Sequence, residues 1–225
     1  MKYMKHVVRA AALPLTVVFL AMGCATQGYK KADQTGIDLQ NLRKDIVEFK
    51  QALDTSLARL NEVSEAAATN PRPAFEAYSK SLAQLASVSR RTDKRTQTLQ
   101  TQGQAYFQQW QRELETISNP EIRQVAQERK EQQKQLFDRL EPAAKQMWTH
   151  YEPLFSDLQD LRKMLSHDLT HSGIQAARGL IRKNTELGSI VQSDLDEVAR
   201  ELGVISDGLM AARSRTEPTT GGAPR

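Results

Sequence analysis

Apolar residues recur every three or four positions along almost the whole of this chain, and that periodicity restricts it to helices packed side by side. Between residues 37 and 69, Leu39, Leu42, Ile46, Phe49, Leu53, Leu60 and Val63 keep one grid, interrupted only at Ser56. From 73 to 117 the grid is Phe75, Tyr78, Leu82, Leu85, Leu99, Tyr106, Trp110 and Ile117. From 120 to 169 it runs Ile122, Val125, Leu136, Leu140, Met147, Tyr151, Leu154, Leu158, Leu161 and Leu165, with small slips. The last, from 174 to 213, carries Ile174, Ala177, Ile181, Val191, Leu195, Val198, Leu202, Ile205 and Leu209. Such spacing lines one face of a helix, whereas strands need strict alternation. No convincing alternating run occurs after residue 24, so the expected fold is all-α.

The breaks between grids are corners. Asn70-Pro71-Arg72-Pro73 ends the first helix, because proline lacks an N–H and disfavours helix in the residue before it. At Ile117-Ser118-Asn119-Pro120-Glu121-Ile122, two starts are open. Asn119 caps with Pro120 at the first helical position, or Ser118 and Glu121 form a capping box. Thr170-His171-Ser172-Gly173 makes the last turn. Helices of 40 to 50 residues would be roughly 60 to 75 Å long. Matched lengths and short corners predict a long antiparallel, coiled-coil-like, up-down-up-down four-helix bundle over 37–213. Leu57, Phe137, Trp148, Leu180 and Leu187 widen the apolar stripes towards a bundle face. The competing arrangement is a pair of hairpins completing its core as a homo-oligomer.

Two places fit the pattern poorly. Gln127 to Gln135 holds no apolar residue, which predicts a thinly packed stretch. Ser89, Thr92 and Thr96 fall on core positions beside the basic run Arg90 to Arg95. This polar layer faces the Glu141-Pro142 interruption and is a candidate ligand niche, although a polar layer more often fixes register. Pro142 and Pro153 should bend or divide the third helix.

The N-terminus has a different character. Lys2, Lys5 and Arg9 precede an apolar run from Ala10 to Leu20, and Leu20-Ala21-Met22-Gly23-Cys24 follows. A basic start, a short apolar stretch and small residues are the layout of an export signal. The run is too short to span a bilayer, which needs about 20 apolar residues. The sole cysteine after Ala-Met-Gly resembles the lipobox of bacterial lipoproteins, with its leucine one place earlier than usual. That resemblance implies a signal peptide over 1–23, transfer of a diacylglyceryl group bearing palmitate-like chains to the Cys24 thiol, and cleavage between Gly23 and Cys24. Residues 24–36 then read as a membrane tether and 214–225 as a disordered tail. Two or three acyl chains give stable attachment. Ala25, where aspartate would signal inner-membrane retention, points to the outer membrane, facing the periplasm.

Removing the leader also removes three of the 31 basic residues and none of the 27 acidic ones, so the body is close to neutral. A neutral exported body argues against nucleic-acid binding. With its one thiol acylated, the domain would rely on apolar burial rather than on disulfides.

Reactive constellations are scarce. His167 and His171, four apart with Asp168 between, form the one metal-like spacing. They stand where a helix should end, and histidine is common there because its charged form complements the helix dipole. The chain has no Glu-x-x-His turn of the di-iron bundles, no phosphate-binding Gly-rich loop and no Gly-x-Ser-x-Gly elbow. The aromatic pairs Tyr106/Trp110 and Trp148/Tyr151 read as core. No catalytic residue and no cofactor is expected.

Trp110-x-x-Glu113-Leu114 with Ile117-Ser118-Asn119-Pro120-Glu121-Ile122-Arg123, and the stretch from Pro153 through Leu161-Arg162 to Asp168-Leu169-Thr170, resemble a family of bacterial lipoproteins known only as a domain of unknown function. The resemblance implies an exported helical envelope protein and brings no activity with it. The expectation is a non-enzymatic envelope lipoprotein, a helical spacer or scaffold with an envelope protein partner. The alternative is a bundle that binds a small ligand at the polar layer or a metal at His167 and His171.

Overall fold

The computed structural model describes the backbone of residues 23–214 and the side chains of residues 36–208. Residues 1–22 of the expected signal peptide over 1–23, residues 215–225 of the expected tail over 214–225 and the Leu209 side chain lie outside that range. The elements are α1 (Gly23–Glu65), a short 3-10 turn (Ala66–Ala68), α2 (Arg72–Glu115), α3 (Pro120–Asp138), α4 (Leu140–His167) and α5 (His171–Ser214). No strand occurs among the described residues. Counting α3 and α4 as one interrupted rod, the chain is an all-α, up-down-up-down four-helix bundle. α1 lies between α2 and α5, and α4 closes against α5, whereas α2 and α4 touch only sparsely.

The first helix begins earlier than its apolar grid. The expected tether over residues 24–36 is helical, as part of an α1 that starts at Gly23. The segment has no proline to stop a helix, and its glycines Gly28 and Gly36 weaken helix by only about 1 kcal/mol each. At the α2–α3 corner the first of the two starts is the one adopted. The Asn119 side chain accepts hydrogen bonds from the N–H groups of Glu121 (2.9 Å) and Ile122 (3.3 Å), with Pro120 at the first helical position. The rod divides at Arg139, just before Pro142. Proline's ring clashes with the carbonyl four residues back, here that of Asp138, the last residue of α3. Pro142 is tolerated in the first turn of α4, where no intrahelical N–H bond is made. Pro153 lies inside α4 without ending it.

One core runs the length of the bundle. The first grid is buried throughout, with Leu42, Phe49, Leu53, Leu60 and Val63 fully enclosed, and Ser56 with them. The fourth grid is equally clean from Ile174 to Ile205. The second grid slips. Below Leu99 the buried positions are Gly103, Phe107 and Leu114, and Tyr106, Trp110 and Ile117 lie half-buried on the flank. Two successive steps of four, from Leu99 through Gly103 to Phe107, explain the slip. In the third grid Phe137 takes the core place of Leu136. Ile122 and Val125 are exposed, since the first buried side chain of α3 is Lys130. Leu57 and Phe137 do widen the core, but Leu180 faces out.

Candidate functional site

The polar layer of α2 borders a groove. Because α2 and α4 diverge at mid-bundle, a cleft of about 600 Å³ opens between them, lined among others by Ser89, Arg90, Asp93, Trp148, Tyr151 and Phe155. Its floor is aromatic. Phe49 reaches through from α1 to meet Tyr151 edge-on at 4.7 Å and Trp148 at 5.8 Å, and Tyr151 stacks on Phe155 at 5.5 Å. The charges at the rim balance, with Arg90 and Lys145 set against Asp93 and Glu152.

The hydroxyls of the layer are mostly satisfied by their own helix. Thr92 donates to the Val88 carbonyl at 3.0 Å and Thr96 to the Thr92 carbonyl at 2.9 Å. Ser89 donates to the Ala86 carbonyl at 3.3 Å. Tyr151 is different. Its residue is 3% exposed and its hydroxyl is buried without a hydrogen-bond partner. Burial pushes this phenol well above the ordinary tyrosine range, against an opposing pull from Ser89 and Arg90. The Tyr78 phenol, two turns nearer the Ala66–Pro71 corner, is raised by burial in the same way but donates to the Leu158 carbonyl at 2.6 Å.

The basic run over 90–95 is not one patch. Arg91 and Arg95 turn to α1, where Asp45, itself buried, receives the Arg91 Nε at 3.2 Å and the Arg95 Nε at 2.8 Å. Arg91 also pairs with Glu48. Arg90 alone faces the groove. Two further buried acids clamp other seams. Asp194 of α5 meets His150 Nδ1 at 2.6 Å and Gln146 at 2.9 Å, both on α4. Glu201 meets Arg139 at 2.9 Å, at the α3–α4 break. Periodicity alone could not reveal these acids, because a lone acid on a stripe is read as a solvated flank. Their signal is an acid beside the apolar grid on a helix whose neighbour presents arginine or histidine.

His167 and His171 do not share a helical face. His167 is the last residue of α4 and His171 the first of α5, on either side of the corner. There the His171 ring meets the Ala67 carbonyl at 3.3 Å, joining this corner to the one after α1. Asp168 accepts from the Thr170 hydroxyl at 2.6 Å and its N–H at 3.2 Å, which holds the carboxyl below the usual carboxylate range. Among the described residues no three potential ligands gather as a metal site.

Gly23 and Cys24 open α1, at the end of the bundle opposite the histidines. The glutamine-rich stretch of α3 is thinly packed: Glu128, Gln132 and Gln135 are exposed, most of the others are half-buried, and only Lys130, which reaches Gln111 of α2 and lies 3.1 Å from Glu131, is buried. No described helix is long and apolar enough to cross a membrane.

Residues 22–203 match the family described as protein of unknown function (DUF2959), and the chain belongs to that family. Neither the curated proteins nor the solved structures contain a match to it.

Proposed function

We propose that this DUF2959 member is a non-enzymatic, lipid-anchored protein of the bacterial envelope, acylated at Cys24 after cleavage behind Gly23. It holds a helical docking surface away from the outer membrane on the periplasmic side. One observation carries the reading. A single unbroken helix runs from Cys24 into the core and on to Glu65, so the attachment residue is at one end of a rod. At about 1.5 Å per residue, α1 alone is roughly 65 Å long. The far end, built from the Ala66–Pro71 and Asp168–Thr170 corners, is then the surface best placed to meet a protein partner. The buried acids fit this role, since each ties two rods together and none faces a cavity with a nucleophile.

The test is the Cys24→Ala protein, expressed in its native host and fractionated. Loss of membrane association with unchanged helical circular dichroism is the expected result. Wild-type membrane retention of that variant overturns the anchor.

A second reading, a small-ligand-binding lipoprotein, is favoured by the unpartnered Tyr151 hydroxyl at the aromatic groove. The balanced rim charges suit an uncharged, flat ligand with one hydrogen-bonding group. Prodan, a neutral aromatic ketone whose emission responds to hydrogen bonding, is a suitable probe. Saturable binding weakened by Tyr151→Phe supports this reading, and non-saturable partitioning opposes it.

A further inference from the structure

The two most exposed large hydrophobic residues described are neighbours. Ile122 is 58% and Val125 67% exposed, and they lie one turn apart at the start of α3. With Trp110 of α2, Ala126 and the stem of Arg129 they border a shallow, almost wholly apolar pocket of about 520 Å³. Clustered apolar exposure of this kind marks a contact surface, unlike a single exposed leucine.

The position of the patch along the bundle identifies what it meets. Asp45 of α1 pairs with Arg91 and Arg95 of α2, and stepping equally down both helices brings Leu114 level with Cys24. Lys130 of α3 meets Gln111 of α2. By the same count, Val125 and Ile122 fall about 3 to 8 Å beyond the level of Cys24, at about 1.5 Å per residue. The apolar corner is therefore at the anchored end, with Ile122 and Val125 slightly ahead of the anchor and the backbone of Trp110, four residues short of Leu114, about 6 Å behind it.

We infer that the α2–α3 corner, through Trp110, Ile122 and Val125, rests in the surface of the bilayer that holds the acylated Cys24. The inference deepens the anchored-spacer reading and rests on it. Tryptophan and aliphatic side chains are suited to the headgroup–acyl boundary. Charge plays little part, because Arg112, Arg123 and Arg129 are set against Glu113, Glu115, Glu121 and Glu128, which leaves the corner one negative charge from neutral. Contact should thus be insensitive to salt and to the share of anionic lipid. One acylated residue fixes a point and leaves the rod free to swivel, and a second contact at the same level sets it upright.

The experiment uses the full acylated protein with Trp148→Phe, which leaves Trp110 as the sole tryptophan. It is reconstituted into vesicles of phosphatidylethanolamine and phosphatidylglycerol with brominated acyl chains. The expected results are loss of Trp110 emission relative to unbrominated vesicles, and recovery of that emission in Ile122→Ser/Val125→Ser. Intact acylation by mass spectrometry with no quenching overturns the corner contact and leaves the anchor standing. Absence of the lipid adduct overturns the anchor and, with it, the inferred contact. Shielding of Trp110 from both lipid bromine and aqueous iodide, with a doubled mass in detergent, assigns the patch to a second copy and also overturns it.

Discussion

The ring of Phe137 lies directly against the backbone of Gly103, in the space that a side chain on that residue would need. Phe107, one turn further along α2, meets the same ring edge-on at 5.8 Å. Glycine in mid-helix is unfavourable by about 1 kcal/mol relative to alanine. It is retained here as the seat for the single aromatic residue that joins α3 to the core. Gly103→Ala gains helix propensity but forces Phe137 aside, and overpacking costs about 1 to 3 kcal/mol. The net expectation is a lower urea midpoint, partly restored by adding Phe137→Leu. A rise in stability for Gly103→Ala alone refutes this packing.

Tyr78→Phe and Tyr151→Phe should move stability in different directions. The first removes a buried 2.6 Å bond to the Leu158 carbonyl and should lose about 1 kcal/mol. The second removes a buried hydroxyl that has no partner, which should be neutral or stabilising. Equal losses in chemical denaturation would mean that the Tyr151 hydroxyl is satisfied after all.

The last corner carries a pH dependence. Hydrogen bonds from Thr170 depress the Asp168 pKa, so the folded value lies below the unfolded one. The associated stability is complete above the ordinary carboxylate range and is lost as pH falls through the folded value. An NMR titration should place Asp168 below a free aspartate, and Thr170→Val should raise it. Thr170 also caps α5 by accepting from the Gly173 N–H, so Thr170→Ala should cost about 1 kcal/mol at neutral pH.

Local stability should be uneven. The only buried side chains of α3 are Lys130 and Phe137, whereas α5 is buried at regular intervals from Ile174 to Ile205. Amide exchange over residues 121–136 should therefore be much faster than over 177–200. Equal protection in a hydrogen-exchange experiment would contradict the sparse docking of α3.

The bundle could be read from the sequence because its signal is additive. Many apolar residues at helical spacing outweigh any single exception, so Ser56 interrupts the first grid without displacing it. The corners were legible for the same local reason, since Asn119, Pro120 and Pro142 act on their own backbone. Burial near Trp110 and Ile122 was not legible, because it depends on whether a neighbouring rod is present at that level. Nor was the division of the basic run between Asp45 and the groove, which is set by how α1 and α2 are rotated against each other. The polar layer was visible as an irregularity in the grid. The separation of α2 from α4 that turns it into a groove became visible only in three dimensions.

The break at Arg139 has a mechanical meaning. Three rods of 43 or 44 residues run the full height without interruption, and the fourth is two struts of 19 and 28 residues meeting at a joint. In the anchored arrangement proposed above, force between Cys24 and the far corners would be carried by the continuous rods, with the jointed one contributing least. Because α3 is the strut nearest Cys24 and buries only Lys130 and Phe137, that end of the bundle is braced mainly by the three continuous rods and should be the less stiff of the two. A stalk of the proposed kind would yield near its anchor and still hold a partner at a height set by the three unbroken rods.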